Sequence, residues 1–459
     1  MVSTTTPYQA DLLRAARNHL GWKKPRLVYA LRQAAAQEGR SLPTDTSLLR
    51  SIARWENGQT YPADYVELLV KVYGQPAHRL GLAGATAAPE TPGAIYPSTP
   101  TDGIEALAAL WRADLAPGND MQALTPDPTA WNAAPLAWLV SGQQEQLPNS
   151  RARTQVGASD VEAVRATVDV YADLDNRFGG RHGRRALIQY LDADVAELLT
   201  ARSTEPVGRA LFGTVAEATL LAGWMSYDSG HHGLAQRYFI QALRLAQAAG
   251  DRRLAGSVLS AMSHQATYLG RFTEAANLAR AAQLGTTGHA TPTLTAQFFA
   301  MEARALSRIG DHAGCNTALT RATTIFERTN PGEDPEWIGY FDQAELSAEL
   351  GHCFRDMRQA RQATTYAELC LGGTDGRYVR SDFFATMVLA EAHLTAGEPE
   401  PACRSALAAL RLGRQLKSAR CVTYLSEFRT KLAVFATSAP VAEFLEEAES
   451  HRLWQQTAS

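Results

Sequence analysis

Two pairs of residues are the first places to look for chemistry in this chain of 459 residues: His231-His232 as metal ligands, and His352-Cys353 as a nucleophile with its base. Neither arrangement suits the task. Adjacent histidines on a turn, with no third ligand at metal spacing, read as solvent-exposed turn residues. Neighbours on a helix point about 100° apart, so His352 and Cys353 read as a groove-facing imidazole and a buried thiol. There is no GxxxxGK phosphate loop and no paired-carboxylate motif. The expectation is a protein that binds and is not an enzyme, with no metal and no cofactor.

The elements that would carry binding residues follow from composition and pattern. At 45% hydrophobic and 20% charged residues, the chain has the make-up of a soluble globular protein. Its length suggests about three domains, or one domain with a repeat array. The first residues, MVSTTTPYQADLLRAAR, lack a basic stretch followed by an apolar core, and no window offers about 18 uninterrupted apolar residues. Secretion and membrane spanning are not expected. Cys315, Cys353, Cys370, Cys403 and Cys421 show no CxxC pairing and read as small buried hydrophobes in a reducing cytoplasm.

Charge is unevenly spread. Residues 1–82 carry 11 Lys and Arg against 6 Asp and Glu, whereas the remainder carries 33 against 41. A basic head on an acidic body is suited to bringing only the head to a polyanion. Residues 83–102, with Pro89, Pro92, Pro97 and Pro100 among small residues, read as an exposed linker. Residues 103–158, holding Trp111, Trp131 and Trp138 between prolines, read as a short helix and irregular chain that packs its tryptophans on a neighbour. From 159 to 459 the pattern is helical throughout, so the fold class is all-α.

Within the head, apolar stripes mark short helices: Leu12, Leu13, Ala16 and Leu20; then Leu27, Ala30, Leu31 and Ala34, opened by Pro25. A third helix is expected after Thr44 or Asp45 as N-cap, running through Leu48, Leu49, Ile52 and Trp55 to a stop at Asn57-Gly58. Pro62 opens a fourth, with Tyr65, Leu68, Leu69 and Val72. This pattern, and the stretch RWENGQTYP from Arg54 in particular, resembles the lambda-repressor-like helix-turn-helix domain of XRE-class regulators over about residues 9 to 82. The resemblance implies that Arg17, four residues before Gly21, pairs with Glu56. It also implies that the third helix enters the major groove of operator DNA. Thr46, Ser47, Arg50 and Ser51 then reach base edges, with Arg50 suited to bidentate contact with guanine. Lys23, Lys24, Arg26, Asn57, Gln59 and Thr60 are placed for phosphates, and Arg54 for either role. The blander alternatives stand beside these: a lysine pair is commonly a solvated face, and Ser or Thr at a helix start is commonly a cap. The sequence departs from the family between helices two and three, where AAQEGRSLPTDT inserts about ten residues.

The body repeats itself. GHHGLAQRYFIQAL, GRFTEAANLARAAQ and GDHAGCNTALTRAT begin at 230, 270 and 310, and two further units begin at Arg358 and Gly397. Five residues after each turn stands a small residue (Ala235, Ala275, Cys315, Ala363, Ala402), and Ala242, Ala282, Ala322 and Ala409 recur seven residues further on. Small residues at these places let antiparallel helices approach closely. The units resemble tetratricopeptide repeats, with Ala235, Phe239 and Ala242 matching the family's small, aromatic, small triplet and Gly223 and Gly351 its contact glycine. An earlier hairpin is expected around FGGRHG at 178–183.

That resemblance implies a concave groove lined by Glu217, Trp224, Tyr227, Asp228, His264, Tyr268, Gln297, Arg304, Glu345, His352, Arg355, Met387 and Glu391, fit for a peptide, a small molecule or a protein partner. Trp224 and Tyr227 read equally well as core between repeats. Head and array together resemble ligand-sensing transcription regulators, including the peptide-sensing ones and the many of high-GC Gram-positive bacteria. The expectation is a cytoplasmic homodimer on double-stranded operator DNA. The alternative is a scaffold that sequesters a partner protein and has a head that does not bind DNA.

Overall fold

The computed structural model describes residues 10–37, 40, 42–75, 80–82, 92–118, 120–141, 145–148, 155–373, 376 and 378–458. The chain is all-α and forms two compact units, 1–91 and 92–459.

In the first unit, α1 (Ala10–His19), α2 (Lys24–Gln37), α3 (Asp45–Glu56) and α4 (Val66–Tyr73) enclose one small core. Leu13 and Ala16 of α1 are buried, but Leu12 and Leu20 are exposed. A ten-residue helix presents only a narrow inward stripe, and α1 stops at His19, before Leu20. In α2, Val28 is buried where Ala30 was expected, and Ala30 is half-buried. The insertion after α2 is partly absorbed by the helix itself, which runs on to Gln37 and buries Ala34 and Ala35. Arg32 then draws the chain into α3, its Nε donating to Asp45 Oδ1 at 2.6 Å and its Nη2 to the Pro43 carbonyl at 2.6 Å. Thr44 is the N-cap, its hydroxyl accepting from Ser47 N. Beyond α3, Gly58 takes a left-handed conformation and a short 3-10 turn, Ala63–Tyr65, precedes α4.

The second unit is built on helical hairpins: α10 (Glu205–Asp228) with α11 (His232–Ala249), α12 (Arg252–Tyr268) with α13 (Phe272–Gly285), α14 (Pro292–Ile309) with α15 (His312–Phe326), α16 (Gln343–Asp356) with α17 (Ala360–Gly373), and α18 (Val379–Ala396) with α19 (Pro399–Leu412). The small residues expected at the hairpin contacts, Ala235 to Ala409, are all fully buried. Gly223 lets α11 approach so closely that a Cβ there would lie 2.4 Å from the Phe239 ring. The hairpin turns at Gly230, Gly270, Gly310 and Gly397 have positive φ, and Arg358 takes the same conformation in the fourth turn at φ 58°. The first helices of successive hairpins stack on one another as an inner layer. Both layers continue past the five recognised units: α20 (Ala419–Leu432) stacks on α18 in the inner layer, and α21 (Ala439–Ala448) on α19 in the outer, closed by α22 (Arg452–Gln455).

Two expectations need correction. The linker was placed over 83–102; 83–91 lie outside the described residues, but 92–102 pack on the array and enter α5 (Pro100–Leu115). Gln241 Nε2 donates to the carbonyls of Gly93 and Ile95 at 3.0 and 3.1 Å. With α6 (Ala130–Val140), this segment covers the outer side of α11 and α13, burying Trp111, Trp131 and Trp138 completely. The cover explains why α11 is buried all round despite its polar residues: Gln236 exchanges two hydrogen bonds with the Asp127 backbone, and Arg244 pairs with Glu145 at 2.6 Å. The early hairpin is also not one. α7 (Ala158–Phe178) packs on α10 and α18, while α8 (Arg184–Tyr190) and α9 (Ala196–Thr200), joined by a π-helical turn, pack on α5.

Through α7 the two ends of the array meet. Lys417 N donates to the Phe178 carbonyl at 2.8 Å, and Arg380 of α18 pairs with Asp175 of α7 at 2.8 Å.

Candidate functional site

The head site is built on α3. Leu48, Ile52, Trp55 and Glu56 turn inward, so Thr46, Ser47, Arg50 and Arg54, at helical spacing on the other side, stand in solvent. Ser51 is half-buried at the edge of this face. The end of α3 is fastened by the pair the resemblance implied: Arg17 Nε to Glu56 Oε1 at 2.6 Å and Arg17 Nη2 to Glu56 Oε2 at 3.1 Å, with Arg17 Nη1 donating to the Trp22 carbonyl at 2.5 Å. A buried forked pair with a third guanidinium N–H taken by a backbone carbonyl is the arrangement that keeps both charges inside. The Glu56 hydrogen bond holds the Arg17 guanidinium above its ordinary pKa.

Around that face the expected phosphate contacts divide. Lys23, Gln59 and Thr60 are exposed, and Arg26 is exposed with its guanidinium over the Trp22 and Tyr29 rings. Lys24 is drawn toward Glu56, 3.8 Å from Oε2, and Asn57 accepts from Arg14 at 2.7 Å. These two serve the end of α3 first. Arg14, which also donates to the Glu56 carbonyl, was not singled out from sequence, although it lies one turn before Arg17.

The second site is the inner face of the array. Tyr227 and Trp224 of α10 meet His264 and Tyr268 of α12: the Tyr227 hydroxyl and His264 Nδ1 are 3.2 Å apart, and the Tyr227 and Tyr268 ring centroids 5.3 Å. Glu217 pairs with Arg165 of α7 at 3.2 Å, yet burial lifts its pKa to about 6. Gln297 donates to the Tyr340 hydroxyl at 2.6 Å, and Arg304 pairs with Glu349. Arg355 pairs with Asp356 at 2.7 Å and lies 3.8 Å from Glu391, which also takes Lys431 of α20. Burial, with Glu349 and Asp342 nearby, pushes Glu345 up to about 8. Burial first, then neighbouring arginines, holds His264 and His352 well below the ordinary histidine range.

Asp228 is the hub of the closure. Its carboxylate accepts from Gly180 N at 3.0 Å and from the Ser418 hydroxyl at 2.8 Å, with Arg380 at 3.5 Å and Arg420 at 4.0 Å. From α20, Arg420 lies over the rings of Phe384 and Tyr227 at 4.4 and 4.7 Å, and the Tyr268 hydroxyl donates to Thr423 Oγ1 at 2.9 Å.

No family model matches this chain, and no curated protein does. The case for any function therefore rests on these residues.

An open groove is not what the inner face presents. Tyr227, Asp228, Gln297, Arg304, His352 and Glu391 are buried, and Met387 lies wholly within the core around Phe383 and Phe428. The physical reason is curvature: as the inner helices stack, α20 comes to face α10 and α12, so side chains expected to meet solvent meet one another. His232, expected in solvent, is half-buried between the Tyr227 and Tyr268 rings, and burial with Arg420 nearby lowers it to about 4. Arg420, Tyr424 and Arg380 were missed. The signal for the first two was present in ARCVTYLSEF, where Arg420 and Tyr424 are one turn apart on a sixth inner helix.

Proposed function

We propose that the chain is a DNA-binding transcription regulator: the head docks on double-stranded operator DNA as one half of a homodimer, and a ligand taken by the repeat array modulates that docking. The observation that carries this reading is the exposed face of α3, where Thr46, Ser47, Arg50 and Arg54 stand together on a helix whose opposite face is packed through Leu48, Ile52 and Trp55 and whose C-terminal end is tied by Arg17 and Arg14. Direct readout needs side chains placed on a rigid element, with base contacts supplied by Arg50 and phosphate contacts by Lys23, Arg26, Gln59 and Thr60. Closure of the array through Asp228 supports a two-state element that a ligand could bias.

The test is selection of bound duplexes from a random pool, followed by a salt titration on the recovered site. Affinity is expected to fall steeply with salt, by a log–log slope of about −0.9 for each phosphate contacted. Arg50→Ala is expected to relax sequence preference at one position by about 1–3 kcal/mol. Failure to bind any duplex at low salt would leave the sequestering scaffold as the better reading.

A further inference from the structure

A buried guanidinium has five N–H donors to satisfy, and a shortfall is costly in a low-dielectric interior. Around Tyr424 the shortfall is concentrated. Arg304 Nε, Arg355 Nη1, Arg420 Nε and His352 Nδ1 are all closed off from solvent and have no hydrogen-bond partner among the described residues. They come from α14, α16 and α20, and each of these side chains is about nine-tenths buried or more.

Tyr424 and Phe384 link these groups. The Tyr424 ring lies 5.7 Å from the Arg355 guanidinium carbon and 6.0 Å from the His352 ring. It lies 4.8 Å from the Phe384 ring, which itself is 4.4 Å from the Arg420 guanidinium carbon. Arg304 pairs with Glu349, which lies one turn before His352 on α16. What is lacking here is acceptor oxygen, not negative charge, because Arg304, Arg355 and Arg420 each have a carboxylate beside them already. Glu391 Oε1 also lacks a partner, but it is one acceptor, and its other oxygen takes Lys431. A single water has two lone pairs to offer three guanidinium donors, and the neutral His352 ring adds a fourth in its Nδ1–H tautomer. A carboxylate has about four acceptor positions and a phosphate more.

We propose that the inner face of the array holds a binding site for a small oxyanion, a carboxylate or phosphate group, received by Arg304, Arg355, Arg420 and His352 beside Tyr424. The proposal deepens the reading that the array takes a ligand, and names the chemistry of that ligand's anchoring group. Because Arg420 belongs to α20 and Arg304 and Arg355 to the middle of the array, an anion held there bridges the two sides of the closure.

The test is calorimetric titration of the full-length protein with succinate and, separately, inorganic phosphate, against chloride at equal ionic strength and pH. One saturable site is expected for succinate or phosphate and none for chloride; which of the two binds more tightly distinguishes a carboxylate anchor from a phosphate anchor. His352→Gln is expected to weaken binding about tenfold and Arg420→Gln by about tenfold or more, as for loss of one hydrogen bond to a charged group. Arg253→Gln, at the surface, is the control and should leave affinity unchanged. Circular dichroism melts check that each variant is folded; should Arg420→Gln fail to fold, His352→Gln decides. Binding no stronger than that of chloride, or binding unaltered in every folded variant of the site, overturns the proposal. Operator selection is read independently, so a head that binds no DNA and an array that binds no anion give different results.

Discussion

Arg50 and Arg54 on α3 stand in solvent, while Arg304, Arg355 and Arg420 in the array are shut between helices with carboxylates and aromatic rings. The same side chain is used in two ways. On α3 the guanidinium stays hydrated, free to exchange water and counterions for a polyanion at little desolvation cost. In the array that cost has been met during folding, and the charges are held by neighbours whose removal would leave them bare. The head thus presents a ready surface, whereas the array presents a closed interior whose opening must be coupled to any ligand it takes.

Experiments can break this contrast, starting with its largest consequence. Arg17→Ala leaves Glu56 buried without its partner and should destabilise the head by about 3–5 kcal/mol. Arg54→Ala on the exposed face should stay within about 0.5 kcal/mol. Calorimetric melting of each variant compares them, and similar losses would show that burial is not what separates the two arginines. In the array, Gly223→Ala forces a methyl group against the Phe239 ring and should cost about 1–3 kcal/mol, read from denaturant unfolding.

Glu345 sharpens the point with pH. Its folded pKa of about 8 lies above the ordinary 4.5, so the folded state holds a proton that the unfolded state releases between those values. Stability is therefore lost as pH rises through that window. Glu345→Gln should match wild type below pH ~4.5 and melt at higher temperature than wild type above pH ~8; parallel melting curves across the range would contradict a protonated Glu345. A small gain is expected at Arg358, the one described non-glycine residue with positive φ, which stands where the other hairpin turns have glycine. Arg358→Gly should stabilise by about 0.5–1 kcal/mol, since relief of left-handed strain exceeds the added chain entropy of glycine. A loss of stability in urea titration would show that Arg358 has a role beyond the turn.

Much of the head was legible because its logic is local. Thr44 as cap, the stop at Asn57-Gly58 and the inward stripe Leu48, Ile52, Trp55 all act within one helix. The Arg17 to Glu56 pair came only through the likeness to a known domain, and Lys24 and Asn57 turned out to serve the end of α3. In the array, the turns and the small residues at helix contacts were legible because close packing demands a small side chain wherever it falls. That the tryptophans of 103–158 pack on a neighbour was legible too, but not which helices they cover, since nothing local in Gln236, Gln241 or Arg244 tells which backbone or carboxylate will satisfy them.

By itself, the sequence determined an all-α chain, the hairpin periodicity and the outward face of α3, because helix amphipathicity, turn chemistry and close packing act over a few residues. Only the tertiary structure decided that Asp228 joins the ends of the array and that the expected groove is filled by its own side chains. Small rotations between successive hairpins add up over the whole array, and their sum brings Arg420 against Tyr227 across nearly 200 residues of chain.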